Sequence, residues 1–293
     1  MKRYFSSLII LNFIISGLFC TPEHLILQAS NPETDLFHEE NTPLFWGNPS
    51  DAVTDSAEGN NYLLEKSNFT LSYNNYSLGP NWVGWHLCSN DLGDTDRSNK
   101  FTADKELPAE WYAVKQKDYQ YNMYGFDRGH ICPSADRTST KEANQQTFLM
   151  TNMLPQAPDC NRIVWKALED YERKLAVAGN ELYIFAGGFG RGGTGAMGYF
   201  EEIPVSDTDE NRGTILVPEF CWKIIMVLPE GEDDFNRVTA ETQIIAVCIP
   251  NAQGCGQNGS WEQYECSVDY IEQQTGCNFF ELLDNAIEDI LEM

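Results

Sequence analysis

The chain is short of positive charge. It has 19 lysine and arginine residues against 44 aspartate and glutamate residues, which gives a formal net charge of −25. A protein that only holds nucleic acid is normally basic, because the neutralisation of phosphates supplies most of the sequence-independent affinity. The composition therefore argues against a tight nucleic-acid-binding module. An enzyme that must release its product can work with a few arginines placed in its cleft.

Other common signals are scarce or missing. Only four histidines occur, at positions 24, 38, 86 and 130. No Cys-x-x-Cys pair is present, which argues against a zinc site. The glycine-rich stretch 187–195 lacks the Gly-Lys-Ser/Thr ending of a phosphate-binding loop, so it predicts a flexible connection after a strand. Beyond the first twenty residues, no segment approaches membrane-spanning length.

The first twenty residues have the pattern of an export signal. Lys2 and Arg3 precede a mostly apolar run from Leu8 to Phe19, which is short for a membrane span. A short membrane anchor is the alternative. The prediction is an exported protein that is periplasmic, secreted or an outer-membrane lipoprotein.

The nine cysteines bear on the same question. Cys20 stands where a lipoprotein signal would end, so membrane attachment through a lipidated Cys20 is one alternative, although Phe19 replaces the usual small residue there. The other cysteines are then even in number and could pair as disulfides in an oxidising compartment.

Composition and periodicity divide the remainder. Residues 21–60 are predicted to be an acidic polar linker or arm, and residues 61–293 the main domain. Trp82–Leu87 alternates like a half-buried strand, and three later apolar runs predict core strands: Leu182–Ala186, Cys221–Leu228 and Thr242–Ile249. Helices are predicted over Asn161–Ala178 and within Val268–Met293.

One combination of motifs is the most specific feature. Asp127-Arg128-Gly129-His130 closes a β-like run over Tyr121–Phe126, and a turn-rich stretch over residues 132–137 follows it. Thr151–Gln156 comes next, and then Asn161–Glu169, which opens the predicted helix. From about Ser72 to the C-terminus, this pattern resembles the DNA/RNA non-specific endonucleases, which have a ββα-metal site. The resemblance implies an α+β, ββα-metal (His-Me finger) fold with a central, mostly antiparallel sheet flanked by helices.

The resemblance also implies a chemistry. Its site would hydrolyse phosphodiester bonds of DNA and RNA with little sequence preference and with Mg²⁺, for which Mn²⁺ could substitute. His130 suits the role of general base because a neutral imidazole titrates near the working pH. The family pattern makes Asn161 the direct magnesium ligand, Glu169 a ligand through water, and Asn152 a residue that lines the site and positions the histidine or phosphate.

Ordinary structural roles compete with these assignments. Asn161 could cap its helix, and Glu169 could be a solvated partner of Arg173 at i, i+4.

Phosphate contacts are expected from Arg97, Arg128 and Arg173, since a guanidinium can bind two phosphate oxygens.

The chain departs from the family at Phe148, where some members have another asparagine. Cys132 and Cys160 flank His130 and Asn161, so a disulfide between them and a zinc site with His130 are both open.

Two other functions compete with the nuclease. One is a catalytically impaired nucleic-acid-binding or surface protein, and the other is a phosphodiesterase for a smaller substrate.

Overall fold

A six-stranded antiparallel sheet forms the centre of the computed structural model, which describes residues 39–206, 213–256 and 260–293. The sheet strands are β1 (Tyr62–Glu65), β2 (Thr70–Asn74), β3 (Gly79–Leu87), β6 (Asn180–Phe189), β11 (Phe220–Pro229) and β12 (Gln243–Pro250), in the spatial order β1-β2-β3-β6-β11-β12. Three two-stranded ribbons are formed by β4 (Asp127–His130) with β5 (Met153–Gln156), β7 (Gly193–Gly195) with β8 (Gly198–Phe200), and β9 (Glu202–Pro204) with β10 (Thr214–Leu216).

Helices flank the sheet and complete the expected α+β class with its central antiparallel sheet. They are α1 (Tyr121–Tyr124), α2 (Lys141–Gln146), α3 (Lys166–Val177), α4 (Asp234–Arg237), α5 (Val268–Thr275) and α6 (Asn285–Leu291), with a π-helix over Cys160–Trp165. Single 3₁₀ turns lie at Ser89–Asp91, Gln116–Tyr119, Ser134–Asp136, Met150–Asn152 and Trp261–Tyr264. Within the described ranges, no helix combines the length and apolar composition needed to cross a bilayer.

The four predicted core strands are confirmed as β3, β6, β11 and β12. Each is buried on both faces, not on one. On β11, Ile225 and Val227 belong to one apolar cluster, whereas Ile224 and Met226 belong to the other. This alternation follows from the two-residue period of a strand. The expectation of a half-buried Trp82–Leu87 strand is therefore wrong, because Trp82 and Trp85 are both fully buried.

The face of the sheet that carries Ile224 and Met226 is covered by part of the predicted polar arm. Leu44, Phe45, Trp46 and Ala52 are buried in the cluster on that face, together with residues of α5 and Phe279. The arm therefore cannot extend to residue 60 as predicted. Residues 21–60 are mostly polar, and the short apolar segment within them has no helical or strand periodicity. The sequence pattern therefore did not predict its burial. The predicted signal segment, residues 1–20, and the earlier part of the arm lie outside the described residues.

The other face carries the chain between β3 and β6, which contains β4, β5, the π-helix and α3. Tyr121–Phe126, predicted as a strand, is instead the short helix α1 followed by a turn at Gly125, whose φ is 75°. An extended run cannot include that left-handed conformation. The DRGH tetrapeptide is itself the strand, β4.

Two further predictions change in detail. The predicted helix over Asn161–Ala178 is a π-helix followed by α3. The glycine-rich stretch 187–195 is not a flexible connection throughout, since β6 continues to Phe189 and β7 covers Gly193–Gly195.

Candidate active site

A cavity of about 370 Å³ opens between β4, α3 and the loop that follows β4. All of the predicted site residues except Asn152 line it: Arg97, Arg128, His130, Asn161, Glu169 and Arg173. Residues that are distant in sequence are thus brought to one place by the antiparallel pairing of β4 with β5 and by the helix that follows β5.

The strand pair sets the position of the histidine. His130 is opposite Met153, and Gly129 is opposite Leu154. The side chain of Gln156 packs so closely on Gly129 that a Cβ there would lie 2.0 Å from its Oε1. Any larger residue at position 129 would force Gln156 to move, and glycine avoids this clash.

Aromatic rings hold His130 in the cavity wall. Phe148 packs edge-on against the imidazole with ring centroids 4.7 Å apart, and Phe101 lies 5.5 Å away. His130 is 8% exposed, and its Nε2 is buried without a hydrogen-bond partner. Burial, reinforced by the nearby Arg97 and Arg128 guanidinium groups, lowers the pKa of His130 from 6.5 to about 3. The imidazole is therefore neutral at working pH, and its pKa lies well below the near-neutral value expected from the sequence.

Asn152 supports the histidine from behind the cavity. Its fully buried amide accepts a hydrogen bond from the Cys132 backbone N–H at 2.9 Å and donates to the carbonyls of Cys132 and Thr147, both at 2.9 Å. The Asn152 carbonyl also accepts from the Ile131 N–H at 3.0 Å. These bonds anchor the chain just after His130. The predicted placement of Asn152 in the lining of the site is therefore wrong, while its predicted role in positioning the histidine agrees with these contacts.

Asn161 lies on the π-helix and is oriented by Asp127. Its Nδ2 donates to Asp127 Oδ2 at 2.9 Å, which leaves its amide oxygen as the atom available to a cation. Arg162 binds the same carboxylate through Nε at 2.8 Å and one terminal nitrogen at 2.6 Å. Asp127 thus fixes two cavity residues at once. The sequence pattern contained Asp127 but did not indicate this role.

Glu169 faces the cavity from α3, one turn from the start of the helix. Arg173, its suggested salt-bridge partner, instead binds Asp136 at 2.7 Å and Asp170 at 2.6 Å. Burial raises the pKa of Glu169 to about 8, with the Lys223 ammonium opposing the shift and the Asp136 carboxylate adding to it.

The donor atoms suit Mg²⁺. An amide oxygen and a carboxylate are the hard oxygen ligands that Mg²⁺ accepts while it keeps several waters. A divalent cation would also offset the cost of an ionised Glu169 in this setting. Asn161 and Glu169 therefore fit a magnesium site.

We expect magnesium affinity to increase with pH. Since Glu169 must lose its proton to act as a metal-holding carboxylate, and its pKa is raised to about 8, the apparent Kd for Mg²⁺ should fall between about pH 6 and about pH 9. Calorimetric Mg²⁺ titrations at several pH values measure this. Glu169→Gln should bind more weakly and lose the pH dependence, whereas Glu142→Gln, an exposed control on α2, should behave as wild type. Equal Mg²⁺ affinities at about pH 6 and about pH 9 would contradict the role of Glu169 as a metal-holding carboxylate.

The cavity concentrates positive charge in an acidic molecule. Its lining includes the cations Arg97, Arg128, Arg162, Lys166 and Arg173, against the acids Glu169 and Asp170. Arg97 lies over the Phe148 ring at 4.9 Å and bonds Ser134, and Arg128 lies over the Phe101 ring at 4.5 Å. Arg162 and Lys166 were not predicted, although their places beside Asn161 on a helix facing the cavity could have suggested them.

Arg173 is the most constrained of the predicted phosphate contacts, because two of its nitrogens already bind Asp136 and Asp170. Asp136 is fully buried and also accepts from Trp85 Nε1 at 3.1 Å. Beneath it, Lys223 pairs with Glu172 at 2.9 Å and lies 4.4 Å from the Trp165 ring centre. This buried network connects the cavity floor to the central sheet.

The suggested Cys132–Cys160 disulfide and the zinc site are not formed in the structure. Among the described residues all cysteines are free thiols, and the sulfur neighbours of Cys160 are Cys221 and Cys255 rather than Cys132. Cys132 lies on the side of Asp136 and Arg137. Closeness in sequence to two site residues did not bring these two thiols together.

Comparison with known proteins agrees with this geometry. Residues 47–286 match the profile of a family described as DNA/RNA non-specific endonuclease. A nuclease from Nostoc sp. is 42% identical over 261 residues, which cover 89% of this chain and 88% of that protein. A nuclease from Syncephalastrum racemosum is 31% identical over 233 residues, which cover 76% of this chain and 69% of that protein.

A solved structure shares the fold. It is described as the EndoG/EndoGI complex, concerns the mechanism of EndoG inhibition, and superposes with a TM-score of 0.65 at 22% identity. The match covers 83% of this chain and 91% of the other. The overall fold is thus one that a solved protein also has.

Proposed function

The chain belongs to the DNA/RNA non-specific endonuclease family, and from that premise we propose that its cavity cleaves phosphodiester bonds of both DNA and RNA with Mg²⁺ bound at Asn161. As a family member it is a nuclease, a hydrolase that acts on nucleic acids and depends on a divalent metal. The observation that carries the finer proposal is the meeting of a neutral His130, the metal-compatible pair Asn161 and Glu169, and the cationic wall in one cavity.

His130 supplies the base. Its unpartnered Nε2 accepts a proton from a water molecule, which then attacks the phosphorus. Phe148 and the chain anchored by Asn152 restrict the ring, so little reorganisation is required at the moment of proton transfer. Neutral imidazole is maintained by the same burial and arginines that lower its pKa.

The remaining residues stabilise the negative charge of the scissile phosphate. Arg97 and Arg128 orient the scissile phosphate, and Asn161 and Glu169 would hold the metal, Asn161 directly and Glu169 through water. Bound Mg²⁺ would stabilise the charge on the transition state and on the departing oxygen. Since these groups contact phosphate, which every sequence presents, they support cleavage with little sequence preference.

A direct assay tests the proposal. Purified protein is incubated with supercoiled plasmid and with structured RNA, in Mg²⁺, in Mn²⁺ and in excess EDTA. We expect both substrates to be degraded with either metal and preserved in EDTA. Binding without cleavage would instead favour a catalytically impaired nucleic-acid-binding protein, and cleavage of only small phosphodiesters would favour the narrower enzyme.

We further propose that the protein is exported, on the basis of Lys2, Arg3 and the apolar run to Phe19. The mature chain should then begin at or near Cys20, with lipidated Cys20 as a membrane attachment in the lipoprotein form. Mass spectrometry of the N-terminus of the natural protein distinguishes these cases. A retained Met1 would contradict export by a cleaved signal.

A second cavity, of about 530 Å³, adjoins the first at Arg128 and extends the path open to substrate. Lys117 and the rings of Phe101 and Tyr121 line it. Cations beside aromatic rings suit a single strand, because bases stack on the rings while the backbone is neutralised.

We therefore expect substrate length to matter. Tyr121→Ala and Lys117→Gln should raise KM for long single-stranded oligonucleotides, Tyr121→Ala by about tenfold from one lost stacking contact. Cleavage of a dinucleotide, which fills only the first cavity, should be unaffected. Tyr121→Phe retains the ring, and Lys174→Gln removes an exposed lysine of α3 that lines neither cavity. Equal losses on long and short substrates would contradict this path.

A further inference from the structure

Three buried thiols lie close together beside Asn161, the proposed metal ligand. Cys160, which directly precedes Asn161 on the π-helix, has the Cys221 and Cys255 thiols as its side-chain neighbours. All three are free thiols. None of them takes part in the proposed hydrolysis.

The loop that carries Cys255 is already docked against the segment that leads to Asn161. The Ala157 N–H donates to Asn251 Oδ1 at 2.7 Å, and the Asp159 N–H donates to Gln253 Oε1 at 3.0 Å. In return, the Gly254 N–H donates to Asp159 Oδ2 at 2.8 Å. These reciprocal bonds hold the two chain segments side by side, so a covalent link between them needs little backbone movement.

Cys255 is the more accessible partner. Cys221 lies in β11, between β6 and β12, and has no exposed surface. Cys255 is 6% exposed, follows the exposed residues Gln253 and Gly254, and has its sulfur 3.4 Å from the hydroxyl of the half-buried Tyr264. A reagent from solvent therefore reaches Cys255 first, and Cys160 is in place to react next.

We propose that Cys160 and Cys255 form a reversible disulfide that clamps the 157–160 segment to the 251–255 loop. With a small-molecule disulfide as oxidant, the Cys255 thiolate first displaces one small thiol and forms a mixed disulfide. The Cys160 thiolate then attacks the Cys255 sulfur, the second small thiol leaves, and the Cys160–Cys255 bond forms. Two protein thiols are oxidised, one small disulfide is reduced to two thiols, and both protein protons end on those thiols.

The clamp joins residues that are far apart in sequence, so it should stabilise the folded chain by restricting the unfolded one. We expect the oxidised protein to melt about 5–10 °C above the reduced protein. This inference does not rest on the proposed function, because its readouts are a covalent bond and a melting temperature.

The full-length protein is reduced, desalted and then exposed to oxidised glutathione, after which free thiols are alkylated and peptides are mapped without reduction. We expect a cross-linked peptide pair that contains Cys160 and Cys255, and an intact mass lower by about 2 Da for that bond. Cys255→Ser should abolish both the cross-link and the melting difference. Cys132→Ser, which removes a buried cysteine away from this cluster, should retain both.

A Cys160–Cys221 link in wild-type protein would overturn the assignment, and so would full alkylation of Cys160 and Cys255 after oxidation. Because the peptide map uses the wild-type chain, the result does not depend on whether a serine variant folds. Addition of dithiothreitol should return the melting temperature to that of the reduced protein, and failure to do so would contradict reversibility.

Discussion

Replacement of His130 by alanine should lower turnover by about two to four orders of magnitude, the usual contribution of a general base. The fold should survive, since the ring occupies the edge of the cavity and the chain around it is anchored by Asn152. Initial rates on plasmid DNA at saturating Mg²⁺ give the effect on kcat. Circular dichroism and the melting temperature check the fold.

His86 provides a matched control. It is also buried, but it lies outside the cavity and pairs with Glu181 at 3.1 Å. His86→Ala should lower the melting temperature while the activity of each folded molecule stays near wild type. A folded His130→Ala protein with near-normal turnover would show that another group accepts the proton.

Asn161→Ala should produce the second large loss, about a hundredfold or more in activity at low Mg²⁺, with partial recovery at high Mg²⁺. The variant removes the proposed direct metal ligand and frees Asp127 from its bond to the amide nitrogen. Asp127→Asn tests the orienting contact, since loss of such support typically costs about 10–100-fold in metal affinity or activity. Magnesium titrations of both variants and the wild type compare the apparent affinities.

Asn122→Ala is the control for these variants, because Asn122 is an exposed asparagine on α1 and lines neither cavity. It should follow the wild-type titration. Superimposable curves for Asn161→Ala and wild type would place the metal elsewhere.

The site residues were predicted from the motif resemblance, and most of them lie on elements that local rules determine. His130 and its glycine lie on a strand paired with the nearby β5, and Asn161 and Glu169 follow on the next helical segment. Short chain separation and regular elements determine these placements. Long apolar runs likewise marked the central strands, since burial in a sheet demands them.

The missed features depend on contacts between distant parts of the chain. Phe148 was recognised only as a missing asparagine, yet it packs on His130. Arg173 was paired with Glu169 by helical spacing, but a stronger partner, the buried Asp136, comes from another element. Leu44–Trp46 appeared to be part of a polar arm because nothing local reveals the sheet face that it covers.

The insertion of the whole site between adjacent strands has a consequence for how activity arises during folding. β3 and β6 pair with Leu87 opposite Leu182, so every cavity residue lies within the loop that this pairing closes. The inner surfaces of β5 and α3, including Leu154 and Leu168, are buried in the same cluster as Trp85 and Ile184 of the sheet. Such non-local pairing is slow compared with helix formation.

Catalysis should therefore return in refolding experiments no earlier than the burial of the sheet tryptophans followed by fluorescence. Activity that precedes that signal would mean that the strand–strand–helix unit assembles alone. If activity does not precede that signal, a nascent or unfolded chain cannot cleave surrounding nucleic acid, because the active site forms only when the central sheet is complete.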